Sequence, residues 1–172
     1  MNVRLASTLL LTASLGLAGC SKKAPEELPP PPAPTTTEAP APAPYTPAGP
    51  TVGSQAHFEN AVNGQNVIYF DTDRYNIDSA DAAALQAQAQ YLARYPQVNI
   101  TIEGHCDERG TREYNLALGE RRANAAKNYL TGLGVDASRI RTVSYGKERP
   151  VALGSDEGSW AQNRRAVSIV IS

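Results

Sequence analysis

The chain is poor in most of what specialised folds need. Its 172 residues hold two cysteines, one tryptophan, one methionine and two phenylalanines. Two cysteines cannot build a disulfide framework. Charge of one sign is missing too: 16 basic residues face 17 acidic ones, and residues 51–172 keep the same balance with 13 and 14. No electrostatic field therefore exists to attract nucleic acid or anionic lipid. No apolar run near the roughly 20 residues of a membrane span occurs beyond the N-terminus, which excludes a multi-pass membrane protein. There is no Gly-x-Gly-x-x-Gly, no phosphate loop and no internal repeat. Proline is nearly absent after residue 50, where only Pro96 and Pro150 remain of 13. That leaves 122 residues to bury one core, too few for a two-domain enzyme.

What is present begins with an address. Arg4 precedes an apolar stretch from Leu5 to Leu17, short for a span and suited to a secretory signal. Leu17-Ala18-Gly19-Cys20 follows and resembles the lipobox of bacterial lipoproteins. The resemblance implies that residues 1–19 are a signal peptide, that Cys20 carries diacylglycerol on its thiol, and that its freed amine is acylated. Several acyl chains make a stable anchor where one does not. Ser21, rather than Asp, after the cysteine implies the outer membrane by analogy with lipoprotein sorting in Gram-negative bacteria. The alternative is a plain signal peptide with an incidental cysteine. With Cys20 lipidated, Cys106 has no partner for a disulfide.

Residues 20–50 hold 11 of the prolines and almost no large apolar side chains. Such a segment cannot bury enough surface to offset its ordering entropy, so a disordered, polyproline-II-rich tether is expected. Fully extended, it would reach roughly 90 Å. A proline-motif ligand for a partner domain is the other reading of this composition.

Residues 51–172 alternate between the strand and helix periods. His57–Ala61 leads in, as a short helix or a plain lead-in, and Asn66–Phe70 is a short buried strand. Ser79 is the expected cap of a helix whose stripe is Leu85, Ala89 and Leu92, with Asp81 in its first turn. Val98–Gly104 alternates with Val98, Ile100 and Ile102 inward. A polar loop, His105–Thr111, ends in a Thr111 cap for a second helix striped by Leu116, Ala123, Ala126, Leu130 and Leu133. Thr142–Tyr145, a turn of helix at Glu157–Asn163 around Trp160, and Ala166–Ile171 with Val167, Ile169 and Ile171 on one face complete the set. The order β-α-β-α-β-β predicts an α/β sandwich: a mixed four-stranded sheet with helices on one face.

Asn115, Leu118 and Arg122 stand at i, i+3 and i+7 and share a helix face beside the core stripe. Taken alone this is an ordinary boundary stripe whose arginine snorkels to water. Asp107 and Arg109, in the loop entering the same helix, add a carboxylate and a guanidinium. Together these groups suit a zwitterion: the carboxylate takes an ammonium, and an arginine fork takes a carboxylate.

The run Gly104-His105-Cys106-Asp107-Glu108-Arg109-Gly110-Thr111, with Glu113-Tyr114-Asn115 and Leu118-Gly119-Glu120-Arg121-Arg122-Ala123-Asn124, resembles the OmpA C-terminal-like domain family. Tyr69-Phe70-Asp71-Thr72-Asp73, Val143-Ser144-Tyr145-Gly146-Lys147-Glu148 and Asn163-Arg164-Arg165-Ala166-Val167 extend the resemblance over about Asn66 to Ile171. It implies non-covalent binding of the diaminopimelate residue of peptidoglycan stem peptides. The family's ligand-contacting Asp falls on Asp107, its Arg on Arg122, and its acidic residue after the first strand on Asp73; Arg109, Asn115 and Leu118 occupy further site positions. The resemblance also implies a TolB-type periplasmic protein as partner, no cofactor, and a lipid-anchored protein of the outer membrane with its head in the periplasm. Cys106 departs from it, since relatives usually carry Thr or Ala there.

Competing chemistry is weaker. His105-Cys106-Asp107 tempts one to a metal site, but neighbours on an extended segment point to opposite sides and a closed site needs about four ligands. A Cys106 nucleophile needs a base across the sulfur, not beside it in sequence. Asn163-Arg164-Arg165 is expected to pair with acids such as Glu103 or Asp107. A cell-wall hydrolase and a purely protein-binding module remain the alternatives from other classes.

Overall fold

The computed structural model describes residues 49–171. The signal-peptide segment, Cys20 and the tether up to residue 48 lie outside the described residues. The elements run α1 (Gln55–Ala61), β1 (Val67–Tyr69), α2 (Ser79–Arg94), β2 (Asn99–His105), α3 (Arg112–Gly132), β3 (Ile140–Gly146), α4 (Glu157–Asn163) and β4 (Arg165–Ile171), with a 3-10 turn at Ala137–Arg139. The sheet order is β1-β4-β2-β3. β4 is antiparallel to both neighbours, and β2 and β3 are parallel. A parallel pair needs a long crossover, and α3 supplies it. The expected mixed sheet with helices on one face is the observed one.

Leu85 and Leu92 of α2 and Ala123, Ala126 and Leu130 of α3 join Ile68, Ile100, Ile102, Ile140, Ala166 and Val170 in one core. Burying a leucine of this kind contributes about 1.5–3 kcal/mol. Gln88 reaches through this layer, taking the Ser168 hydroxyl at 2.7 Å and donating to the Gln65 carbonyl at 2.6 Å. β1 is only three residues long, so β4 outruns it. The Gln55 amide oxygen covers part of the difference by accepting from the Val170 N–H at 2.7 Å.

Several local expectations shift. Asp78, not Ser79, caps α2: its side chain accepts the Asp81 N–H at 2.8 Å, and Ser79 is already helical. On β4 the buried face is Ala166, Ser168 and Val170, while Val167 and Ile169 are half-buried and Ile171 is exposed. The apolar alternation there marks the face away from the helices. Leu116 of α3 is half-buried and Leu133, at its C-cap, is 44% exposed, because the helix meets the sheet through Leu118, Gly119, Arg122 and Ala123 instead.

That contact depends on two glycines. A Cβ on Gly104 would overlap the Gly119 carbonyl, and one on Gly119 would crowd the Ser144 hydroxyl and the Gly104 carbonyl. Bare backbone on both sides lets α3 lie directly on the end of β2. One turn after Gly119, Arg122 is thereby brought under the segment that follows His105.

Candidate functional site

The β1–α2 connection (residues 70–78), the β2–α3 connection (residues 106–111) and the first turns of α3 enclose a pocket of about 230 Å³. Asp73, Asp107, Arg109, Asn115, Leu118 and Arg122 all line it. The structure thus brings together all six residues singled out in the sequence. Thr72, Cys106, Gly110 and Tyr114 complete the wall.

Arg122 is not at the rim as its helical position predicted; it is 0% exposed. Its Nε donates to the Arg74 carbonyl at 2.9 Å, Nη1 to the His105 carbonyl at 2.8 Å and Nη2 to the Asp71 carbonyl at 3.0 Å. A guanidinium has five N–H donors, so one remains on each Nη. The group also lies over the Phe70 ring, 5.1 Å from its centroid. Burial pushes its pKa down, and it remains charged. It is a cation fixed by backbone, with two donors to offer.

Asp107 is almost as buried, at 7%. Its Oδ1 accepts from the Arg109 backbone N–H and Nε, both at 3.1 Å, and its Oδ2 from Arg109 Nη2 at 2.7 Å. Arg164 Nη1 stands 3.6 Å from Oδ2, the pairing anticipated for the Asn163-Arg164-Arg165 run. Burial opposes the charge, but the Arg109 bonds outweigh it and hold the carboxyl below its usual range. Arg109 is in turn stacked on Trp160 at 4.1 Å, and the indole N–H donates to Glu108 at 3.0 Å.

Asn115 secures the loop, donating to the Arg109 carbonyl at 2.7 Å and the Thr111 carbonyl at 3.1 Å. Lys147 holds it from outside through the Glu108 and Gly110 carbonyls. Leu118, 4% exposed, is the apolar wall. Asp73 adopts φ 55°, a conformation unusual outside glycine but tolerated by Asp, and its Oδ1 accepts from the Tyr114 hydroxyl at 3.4 Å. Trp160, in α4 some 50 residues from Asp107, is the support that the sequence did not reveal.

Cys106 is more buried than a half-open thiol, at 3%, and its Sγ–H points to the Asn115 carbonyl at 3.3 Å. Burial pushes its pKa up to about 11, with Arg122 working the other way and Asp107 adding a lesser push. Burial, rather than the neighbouring carboxylate, is the main cause of this shift. Among the described residues, no group of three or more His, Cys, Asp and Glu could hold a metal ion.

His105 is 2% exposed and packs near Tyr145; neither ring nitrogen has a hydrogen-bond partner among the described residues. Glu103 at 3.6 Å favours the cation, but burial, assisted by Arg165 and Arg149, lowers the pKa from 6.5 to about 4. The unfolded chain therefore binds a proton that the native chain refuses between these values. Stability is full above pH 6.5 and falls as pH drops toward 4, by roughly 3 kcal/mol at most. Asp81, whose carboxyl is raised by burial, acts in the opposite sense. Urea midpoints for wild type and His105→Gln across this range isolate the histidine. The variant is expected to lose most of the slope, and an identical slope would mean that His105 does not bury neutral.

Residues 69–164 match the OmpA family model. A peptidoglycan-associated lipoprotein of Rhizobium meliloti (strain 1021) is 49% identical over 162 residues, covering 94% of this chain and 85% of that protein. One of Haemophilus influenzae is 52% identical over 102 residues, or 59% of this chain and 67% of that protein. The crystal structure of the peptidoglycan-associated lipoprotein from Burkholderia pseudomallei superposes with a TM-score of 0.63 at 50% identity, covering 66% of this chain and 96% of that one. The C-terminal domain of Helicobacter pylori MotB shares the fold at 19% identity, with a TM-score of 0.58 over 62% of this chain and 84% of that one.

Proposed function

Since the chain belongs to the OmpA family and, within it, to the peptidoglycan-associated lipoproteins, we propose that its head binds peptidoglycan without a covalent bond, through the diaminopimelate of the stem peptide. One observation carries this reading: a pocket of about 230 Å³ in which Asp73 and Asp107 stand with Arg109 and Arg122. Four formal charges that cancel, two of them buried, suit a ligand that carries both signs at one end. Diaminopimelate ends in an ammonium and a carboxylate on one carbon. The carboxylate meets the two remaining N–H groups of Arg122, and the ammonium meets Asp107, with Asp73 on the open side and Leu118 against the stem. Charge-assisted bonds of this kind are the strong ones.

The role is binding rather than catalysis. The Cys106 thiol, at a pKa of about 11, donates to a carbonyl, and the neighbouring His105 makes no bond to it, so neither is set up as nucleophile and base. Residues 1–19 serve as the signal peptide, acyl chains on Cys20 hold the protein in the outer membrane, and residues 20–50 let the head, residues 51–172, reach the wall from the periplasmic side. A TolB-type periplasmic protein of the Tol-Pal envelope and cell-division system is the second partner that family membership favours.

Three measurements test this. The full chain should sediment with sacculi and be released by free diaminopimelate; retention that the free amino acid leaves untouched would place the contact elsewhere. Cys20→Ala should abolish labelling by radioactive palmitate and detach the protein from outer-membrane fractions, whereas undiminished labelling removes the anchor from Cys20. Co-purification with the TolB-type protein tests the second partner.

A further inference from the structure

We propose that a second cavity, between the β1–α2 connection and α4, is a binding site for a compact organic cation, a primary ammonium or guanidinium on an aliphatic stem. It measures about 350 Å³ and is lined by Tyr69, Asp71, Asn76, Asp78, Asp81 and Gln162, among others. None of these six lines the pocket described above.

The buried member is Asp81, 7% exposed. Its Oδ1 accepts the Tyr69 N–H at 3.0 Å, but its Oδ2 is buried with no partner among the described residues. A carboxylate oxygen left without a donor is costly to bury. Burial raises its pKa and the carboxylates of Asp78 and Asp71 raise it further, against the backbone N–H groups of Tyr69 and Asp78. Arg164 also lines the cavity, with two of its three nitrogens hydrogen-bonded elsewhere and Nη1 left with only an ion-pair contact. Nε donates to the Phe70 carbonyl at 2.9 Å, Nη2 to Glu157 at 2.7 Å, and Nη1 faces Asp107 at 3.6 Å.

The donor set favours an organic cation over a metal. The three carboxylates do not form a group able to hold an ion at one point. An ammonium instead spreads three N–H donors over separated acceptors, and a guanidinium spreads five. Tyr69, 53% exposed, offers a ring against which an aliphatic stem or the cation itself can rest. A free polyamine and a lysine or arginine of a polypeptide share this chemistry.

Calorimetry on the full chain with 1,5-diaminopentane, N-acetyl-lysine amide and N-acetyl-arginine amide tests the site. Saturable, salt-sensitive binding is expected for at least one. Preference for the diamine assigns the site to free polyamines, and preference for the amides assigns it to a polypeptide. Asp81→Asn should weaken binding about tenfold. Asp78→Asn, which keeps the capping acceptor, should weaken it less and guards against misfolding of the first variant. The ¹³C-detected titration of the Asp81 carboxyl should move to lower pH when the cation is added. No saturable binding at millimolar concentrations, equal affinity in both variants, or an Asp81 titration indifferent to the cation would overturn the proposal. Sacculus binding by Asp81→Asn should be unchanged, so failure here is separable from failure of the wall-binding reading.

Discussion

Arg122→Ala should cost the free protein about 3–5 kcal/mol of stability before any ligand is considered. The side chain is wholly buried and ties three carbonyls from two segments: those of Asp71 and Arg74 in the β1–α2 connection and that of His105 at the end of β2. Alanine leaves these three acceptors without their donor and opens a cavity beneath the loop that carries Asp73. Lysine restores the charge but not the geometry, since one ammonium cannot follow a planar group into three diverging bonds. Arg122→Lys should therefore recover only a minor part of the loss. Urea unfolding measures both: the midpoint falls while the slope holds, as for a native-state change. A loss below about 1 kcal/mol for alanine would mean that water satisfies the carbonyls. Ligand binding by these variants then has to be read on folded protein only, because the residue proposed to receive the ligand also holds the site.

Asp107→Asn is the cleaner probe of recognition. Its expected cost is about 2–5 kcal/mol of binding free energy, a fall in affinity of roughly 30-fold or more. Without the carboxylate, Arg109 and Arg122 leave the pocket with excess positive charge, and the ligand's ammonium meets repulsion where it had a partner. Asn keeps one oxygen for the Arg109 N–H groups, and Arg109 is 39% exposed, so the fold is expected to tolerate the change. A lysine-type stem peptide lacks the carboxylate that Arg122 is proposed to receive and should lose a similar amount against the wild type. Calorimetry with diaminopimelate-type and lysine-type muropeptides reads both effects. Equal affinity for the two ligands, or a folded Asp107→Asn that binds like wild type, would remove the ligand from this pocket. The pH dependence has a definite sign. The Asp107 carboxyl lies below its ordinary value of 3.8, so its contribution is complete above that value and is lost only as pH falls through the lowered one. Acidification from neutrality to about pH 5 should leave this contact intact.

Much of the site was legible along the chain because it is built from near neighbours in sequence. Asn115, Leu118 and Arg122 share one face of α3, and Asp107 and Arg109 sit in the loop that enters it. Helical period and loop proximity are local properties. Asp73 was reached by family resemblance alone, since it lies 34 residues before Asp107 with a helix and a strand between them. Trp160 behind Arg109 left no trace in the spacing, whereas Arg164 beside Asp107 was expected of the Asn163-Arg164-Arg165 run.

By itself, the sequence determined the elements and their period, the Thr111 cap, the balance of charge, and the grouping of polar residues on one helix face. Each depends on a residue and its neighbours within a few positions. Tertiary structure alone decided which side of each element would be covered. It turned Ala166, Ser168 and Val170 inward although Val167 and Ile169 are the larger apolar residues, and it buried Arg122 completely. It also left Asp81 Oδ2 without a partner among the described residues while committing Arg164 Nε and Nη2 to other acceptors. Periodicity says which residues share a face, but burial is set by what packs on that face. Here that depends on strands and helices up to a hundred residues apart in the chain.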